Sequence, residues 1–195
     1  MLEICKMNEI IAQAWKSGMD FHAFIGQIKA LHAQQKVTGL VQTPELLAYS
    51  MLNEKRMDRI LKHGTIETTT TDAKVKKLML ITEGWCGDSA QISPYLYLWS
   101  TKLGKEVRVV LRDEHPACMD LFLTNGTHSI PIVVFLNEED EVLAQWGPRP
   151  KALIQLIKGW KEQGMTKEEF NPLIHKWYAD DKGLSCVQEW EYIIQ

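Results

Sequence analysis

No stretch of this 195-residue chain approaches the ~20 consecutive apolar residues that a membrane-spanning helix needs. Nor does Met1-Leu2-Glu3-Ile4-Cys5-Lys6 show the basic-then-apolar order of a secretory leader, so a cytoplasmic chain with reduced cysteines is expected. Excess charge is missing too. The formal net charge of −3 gives no electrostatic basis for binding nucleic acid or an anionic membrane surface. Cysteine is scarce: residues 5, 86, 118 and 186 show no paired spacing of the kind that builds a zinc site. No metal and no cofactor are expected. One further absence is local. In Trp85-Cys86-Gly87-Asp88-Ser89, a serine stands three residues after Cys86, where a dithiol pair would have its second cysteine.

What is present has the apolar and charged content of a soluble globular protein, at a length that suits one domain with or without extensions. The seven tryptophans are scattered rather than interleaved with basic residues, and read as packing. Residues 1–63 read as helical. Ile10, Ile11, Ala14 and Trp15 share one face, and Phe24, Ile25, Ile28 and Leu31 form a second stripe. Thr43-Pro44 looks like a cap and first helical residue, opening a third helix over 45–62. From Gly64 the pattern changes. Residues 65–71 are rich in β-branched side chains and suggest a short strand, and 77–82 form a strand too apolar to face water. A helix over 86–103, a strand over 107–111, a short helix over 116–123, a hairpin of 132–136 with 142–145, and a helix over 150–161 follow. Thr166 with Glu169 forms a capping box that opens a helical tail, in which Trp177, Tyr178 and Trp190 need burial. The expected division is 1–63, 64–164 and 165–195.

Cys86 falls at a strand-to-helix junction. A helix N-terminus stabilises a thiolate there by about 0.3 to 2 kcal/mol. Asp88 opposes it: two charges ~6 Å apart repel by about 0.7 kcal/mol in water and ~3 at an effective dielectric of about 20. The two effects are of one size, and the sequence leaves the contest open. Asp88 also has a plain role, as a first-turn acid that stabilises its helix. Ser89 has a hydroxyl to donate to the Cys86 sulfur but closes no disulfide with it. The plain alternative for Cys86 is a buried structural cysteine. Cys118, in the first turn of the short helix, reads first as packing and second as a resolving thiol. His128 lies three residues before Pro131, and His115 with Cys118 makes two ligands, too few for a metal site.

Four features in order resemble the thioredoxin family. The family's W-C-G-P-C reads W-C-G-D-S here, and Pro94 holds the place of the proline eight residues after the first cysteine. Ile130-Pro131-Ile132-Val133-Val134-Phe135 matches the cis-proline and its apolar strand, and Gly147 matches the glycine ending the last strand. The resemblance covers roughly 65–164 and is nearest to a bacterial W-C-G-D branch. It implies an α/β thioredoxin-like fold, a central mixed sheet flanked by helices, here with helical N- and C-terminal extensions. The order β-α-β-α-β-β-α read above agrees independently. The resemblance further implies that Pro131 is cis and that the Ile130 backbone pairs with an extended substrate segment beside the thiol. Cys86 and Ser89 are then the catalytic candidates, and Trp85, Gly87, Asp88, Ile130 and Pro131 the substrate-contacting ones. Two departures matter. The buried acid of the family has Leu80 in its place, and its partner lysine is replaced by an apolar residue near Val109.

Three functions follow as expectations. The first is a monothiol thiol–disulfide oxidoreductase in which Cys86 attacks a protein or small-molecule disulfide. A small cellular thiol such as glutathione then releases the product. The second is a redox-inactive module that keeps the groove beside Pro131 and binds a partner's extended segment. The third is a sensor in which Cys86 is oxidised to sulfenic acid and then capped. Neither nucleic acid nor membrane is expected as a partner.

Overall fold

The segment Lys77–Thr82 (β2) carries buried side chains on both faces, and a strand of that kind has to sit inside a sheet. In the computed structural model, which describes residues 2–68 and 74–195, it does. β2 pairs in parallel with β3 (Glu106–Leu111) and antiparallel with β4 (Ile132–Leu136), which forms a hairpin with β5 (Val142–Trp146). A two-residue strand, β1 (Met19–Asp20), closes the other edge against β3 and gives the order β1-β3-β2-β4-β5. The mixed sheet with flanking helices is the expected α/β architecture.

Alternation along β2 sends Leu78 and Leu80 to one apolar layer and Met79 and Ile81 to the other. The first layer is covered by α2 (Phe21–Ala33), α3 (Pro44–His63) and α4 (Gly87–Lys102), through Phe24, Met57 and Trp99 among others. The second is covered by α1 (Leu2–Ser17) and α5 (Pro116–Met119), through Ile11, Trp15, Cys118 and Met119. The sequence signals for α3 hold: the Thr43 hydroxyl accepts from the Leu46 amide at 3.2 Å, and Pro44 is the first helical residue.

After β5, α6 (Lys151–Glu162), α7 (Lys167–Asp181) and α8 (Leu184–Ile193) complete the chain. The capping box of Thr166 and Glu169 opens α7. Trp190 of α8 is fully buried, its ring 5.4 Å from those of both Trp99 and Trp146. The tail therefore packs on α4 and β5 as its aromatics require.

Two expectations need correction. Residues 1–63 are not wholly helical, because β1 interrupts them; two residues are too few to show a strand period in the sequence. Residues 65–68 hold no strand, and 69–71 lie outside the described residues. The backbone of this segment finds a side-chain partner rather than a ladder: the Ile66 carbonyl accepts from Lys102 Nζ. β-branched composition favours strands only where a neighbouring strand offers a ladder.

A candidate thiol site at the start of the fourth helix

Glu83-Gly84-Trp85 turns the chain from β2 into α4, and Cys86 is the residue that caps the helix. The turn is held from outside the sheet. The Gly84 amide donates to Thr38 Oγ1 at 2.8 Å, and Asn53 Nδ2 of α3 donates to the Trp85 carbonyl at 2.9 Å. Arg112 lies over the Trp85 ring, 4.9 Å from its centroid.

Cys86 is 7 % exposed, and its thiol donates to the Ile130 carbonyl at 3.5 Å. The Ile130–Pro131 bond is cis, and the Ile130 backbone lies beside the thiol. Gly147 explains itself here. Its φ of 132° belongs to glycine, and a Cβ on it would overlap the Pro131 carbonyl. The contest left open by the sequence goes against the thiolate. Burial first, and then the Asp88 carboxylate, push the Cys86 thiol up to about 11, against the opposing pull of the Ser89 amide and hydroxyl and the Asp88 amide. The Ser89 hydroxyl also hydrogen-bonds the Thr82 hydroxyl, both fully interior.

Asp88 turns away from open solvent. Arg149 grips its carboxylate with Nε at 2.9 Å and Nη2 at 2.6 Å, and the Tyr178 hydroxyl of α7 donates to it at 2.9 Å. This clamp ties the start of α4 to the loop after β5 and to the tail.

A second link crosses the same helix start. The Tyr49 hydroxyl of α3 occupies the space that a Cβ on Gly87 would need, with His175 Cε1 of α7 3.3 Å from that point. The Tyr49 hydroxyl and His175 Nε2 are 3.0 Å apart. Burial raises the Tyr49 hydroxyl above its usual range, while burial and Arg56 lower His175 to about 4. Tyr49 is therefore the donor and His175 a neutral acceptor, which assigns the ring proton to Nδ1. That nitrogen is buried and has no partner among the described residues.

The other sequence candidates lie apart or serve packing. Cys118 is 2 % exposed within the same apolar layer as Cys86, its thiol pushed up to about 11 by burial, and all four cysteines are free. His128 bonds Asp120 at 2.7 Å and His115 bonds Ser17 at 2.8 Å. Among the described residues, no His, Cys, Asp and Glu side chains cluster in a way that could hold a metal ion. Leu80 and Val109 are direct partners across β2 and β3, both fully buried, so the two departures from the family pattern meet at one place.

A family model described as thioredoxin, Thioredoxin_9, matches residues 39–163. The chain belongs to the thioredoxin family. The match starts before α3, so the family region itself includes the helix that carries Tyr49 and Asn53. Among curated proteins, none matches the chain. Two solved structures share its fold. A protein of unknown function from Pseudomonas aeruginosa is 19% identical, with a TM-score of 0.54 over 94% of this chain and 95% of that one. An HIV epitope scaffold is 17% identical, with a TM-score of 0.54 over 94% and 96% of the two chains.

Sequence reasoning missed Tyr49, His175, Arg149 and Tyr178. Each is a single polar residue on an otherwise ordinary helix or loop, and no local pattern marks it. Glu83 was missed as well, with more excuse to notice it. An acid at the end of an apolar strand, three residues before Cys86, is fully buried here. One oxygen accepts from the Asp113 amide at 2.9 Å, the other has no partner among the described residues, and burial raises the carboxyl.

Proposed function

We propose that this thioredoxin-family chain is a monothiol thiol–disulfide oxidoreductase acting through Cys86. The supporting observation is the placement of its Sγ at the head of α4, 3.5 Å from the carbonyl that precedes a cis-proline. Cys86 Sγ, as thiolate, attacks one sulfur of a substrate disulfide. A mixed disulfide forms, the substrate S–S bond breaks, and the departing sulfur leaves as a thiolate that takes a proton from water. Ser89 offers no second thiol, so a small cellular thiol attacks the mixed disulfide and returns Cys86 to its reduced state. That thiol is left joined to the substrate sulfur.

A specific observation favours a second reading, a module that binds an extended segment beside Pro131 without redox turnover. The Cys86 thiol is buried and pushed up to about 11, which leaves it almost wholly protonated at neutral pH. One experiment separates the two. With Cys5, Cys118 and Cys186 substituted by serine, the chain is incubated with oxidised glutathione at pH 7.5 and followed by intact mass. Formation of a mixed disulfide on the folded chain, absent in Cys86→Ala, supports the oxidoreductase. Uptake only after denaturation overturns it in favour of the binding module.

A further inference from the structure

The Tyr49–His175 pair lies across the start of α4. A groove opens between the loop before Pro131 and helix α6. Its first part has a volume near 630 Å³ and is bordered by Ser129, Pro148 and Arg149. A second part of about 370 Å³ shares Arg149, Ile157 and Lys161 with it and runs on to Lys167 and Phe170 of α7. The groove is thus elongated, begins one residue from the carbonyl that touches the thiol, and has an apolar floor at Ile157 and Phe170.

Its walls are cationic, on a chain whose net charge is negative. Arg149, Lys158, Lys161 and Lys167 line it, against the single carboxylate of Glu162. Glu162 meets Lys158 at 3.9 Å with both side chains well exposed, a weak pair. Arg149 gives Nε and Nη2 to Asp88, which leaves its Nη1 outside that pair. Lys161 and Lys167 form no ion pair with a described carboxylate. Positive charge collected along an apolar channel selects an occupant of opposite charge with apolar side chains between its acids. The length of the channel and its start at a cis-proline loop suit an extended polypeptide.

We propose that this groove docks an acidic, extended polypeptide segment next to Cys86. As a statement of substrate class it rests on the thiol-exchange reading above, though docking itself needs no thiol chemistry. The test uses two fluorescein-labelled, cysteine-free peptides of equal length, one alternating Glu with Val and one alternating Lys with Val. Binding to the full chain is read by fluorescence anisotropy at low salt and at 0.3 M salt. The acidic peptide is expected to bind about tenfold or more tightly than the basic one, with the difference shrinking in salt. Lys161→Glu with Lys167→Glu, two exposed changes checked for an unaltered melting temperature, should abolish the preference. Equal affinities, or a preference that survives charge reversal, would overturn the proposal. Equally tight binding of an oligonucleotide carrying the same charge would overturn it too, since the groove would then not select polypeptide. Because the peptides lack cysteine, loss of thiol exchange leaves this result standing, and a negative result here leaves the mixed-disulfide experiment standing.

Discussion

Replacing Asp88 by asparagine removes one charge and almost no volume, and the structure assigns that charge two separate effects. As the centre of the clamp, Asp88 is 12 % exposed at its side chain and receives two bonds from Arg149 and one from Tyr178. Hydrogen bonds to charged groups contribute roughly 1.5–3 kcal/mol each. Asparagine still accepts from Tyr178, and Arg149, 33 % exposed, recovers some hydration. A net loss of about 2 kcal/mol remains, which for a chain of this size lowers Tm by about 4–8 °C. As a neighbour of the thiol, Asp88 is the second cause, after burial, of the raised Cys86 value. Removing it leaves the Arg149 charge, which favours the thiolate, without its partner and should bring the Cys86 midpoint down by about one to two pH units. The assay is the rate of alkylation by iodoacetamide against pH, with the other three cysteines replaced by serine and Tm measured alongside. Destabilisation alone speeds alkylation at every pH without moving the midpoint. Tyr178→Phe is therefore the control, since it loses a clamp bond and keeps the charge. A midpoint in Asp88→Asn that stays with that of Tyr178→Phe would refute the electrostatic part of the reasoning, and an unchanged Tm would refute the clamp.

Gly147→Ala should cost about 3 kcal/mol or more, because a Cβ there meets the Pro131 carbonyl at a φ that suits glycine; urea denaturation measures it, and a loss under 1 kcal/mol would contradict the geometry. His175→Gln keeps an acceptor for Tyr49 but does not titrate. The folded-state value of His175 is lowered to about 4, so its contribution is complete above about pH 6.5 and is lost as pH falls towards 4. The parent should therefore lose more Tm than the variant between pH 7 and pH 4.5, and parallel curves would count against a buried neutral His175. Ser89→Cys restores a dithiol spacing, and insulin reduction should appear or rise. If no disulfide closes between residues 86 and 89 on mild oxidation, the two side chains do not face one another.

The core of the sheet domain was legible because its signals are local. A short run of buried apolar residues marks β2, Thr43-Pro44 and Thr166 with Glu169 mark helix starts, and Ile130-Pro131 marks the bend at the thiol. The clamp and the Tyr49–His175 link were not legible because they join residues 61 to 126 positions apart, across three helices and a loop. Chemistry that depends on one polar side chain from each of several elements leaves no period and no spacing. Asp88 shows the consequence. From the sequence it was a first-turn acid in a contest with a helix terminus, and the outcome depended on burial, which local spacing does not show. β1 escaped notice for a simpler reason, since its pairing with β3 spans two residues.

His175 and Tyr178 lie on α7, beyond the matched region, yet both stand at the start of α4. Burial is the first cause of the raised Cys86 value. A thiol near 11 is ionised at pH 7 to about one part in ten thousand, equivalent to about 5 kcal/mol against the thiolate. Relative to an ordinary thiol near 9, the rise of about two units lowers the thiolate fraction roughly a hundredfold. An occupant of the groove that uncovers the thiol would speed exchange, whereas a pure binding module needs no such uncovering. Alkylation of Cys86 in the presence and absence of the acidic peptide follows directly from that difference. Acceleration by the peptide ties docking to thiol activation, while protection means that the groove and the buried thiol serve binding alone.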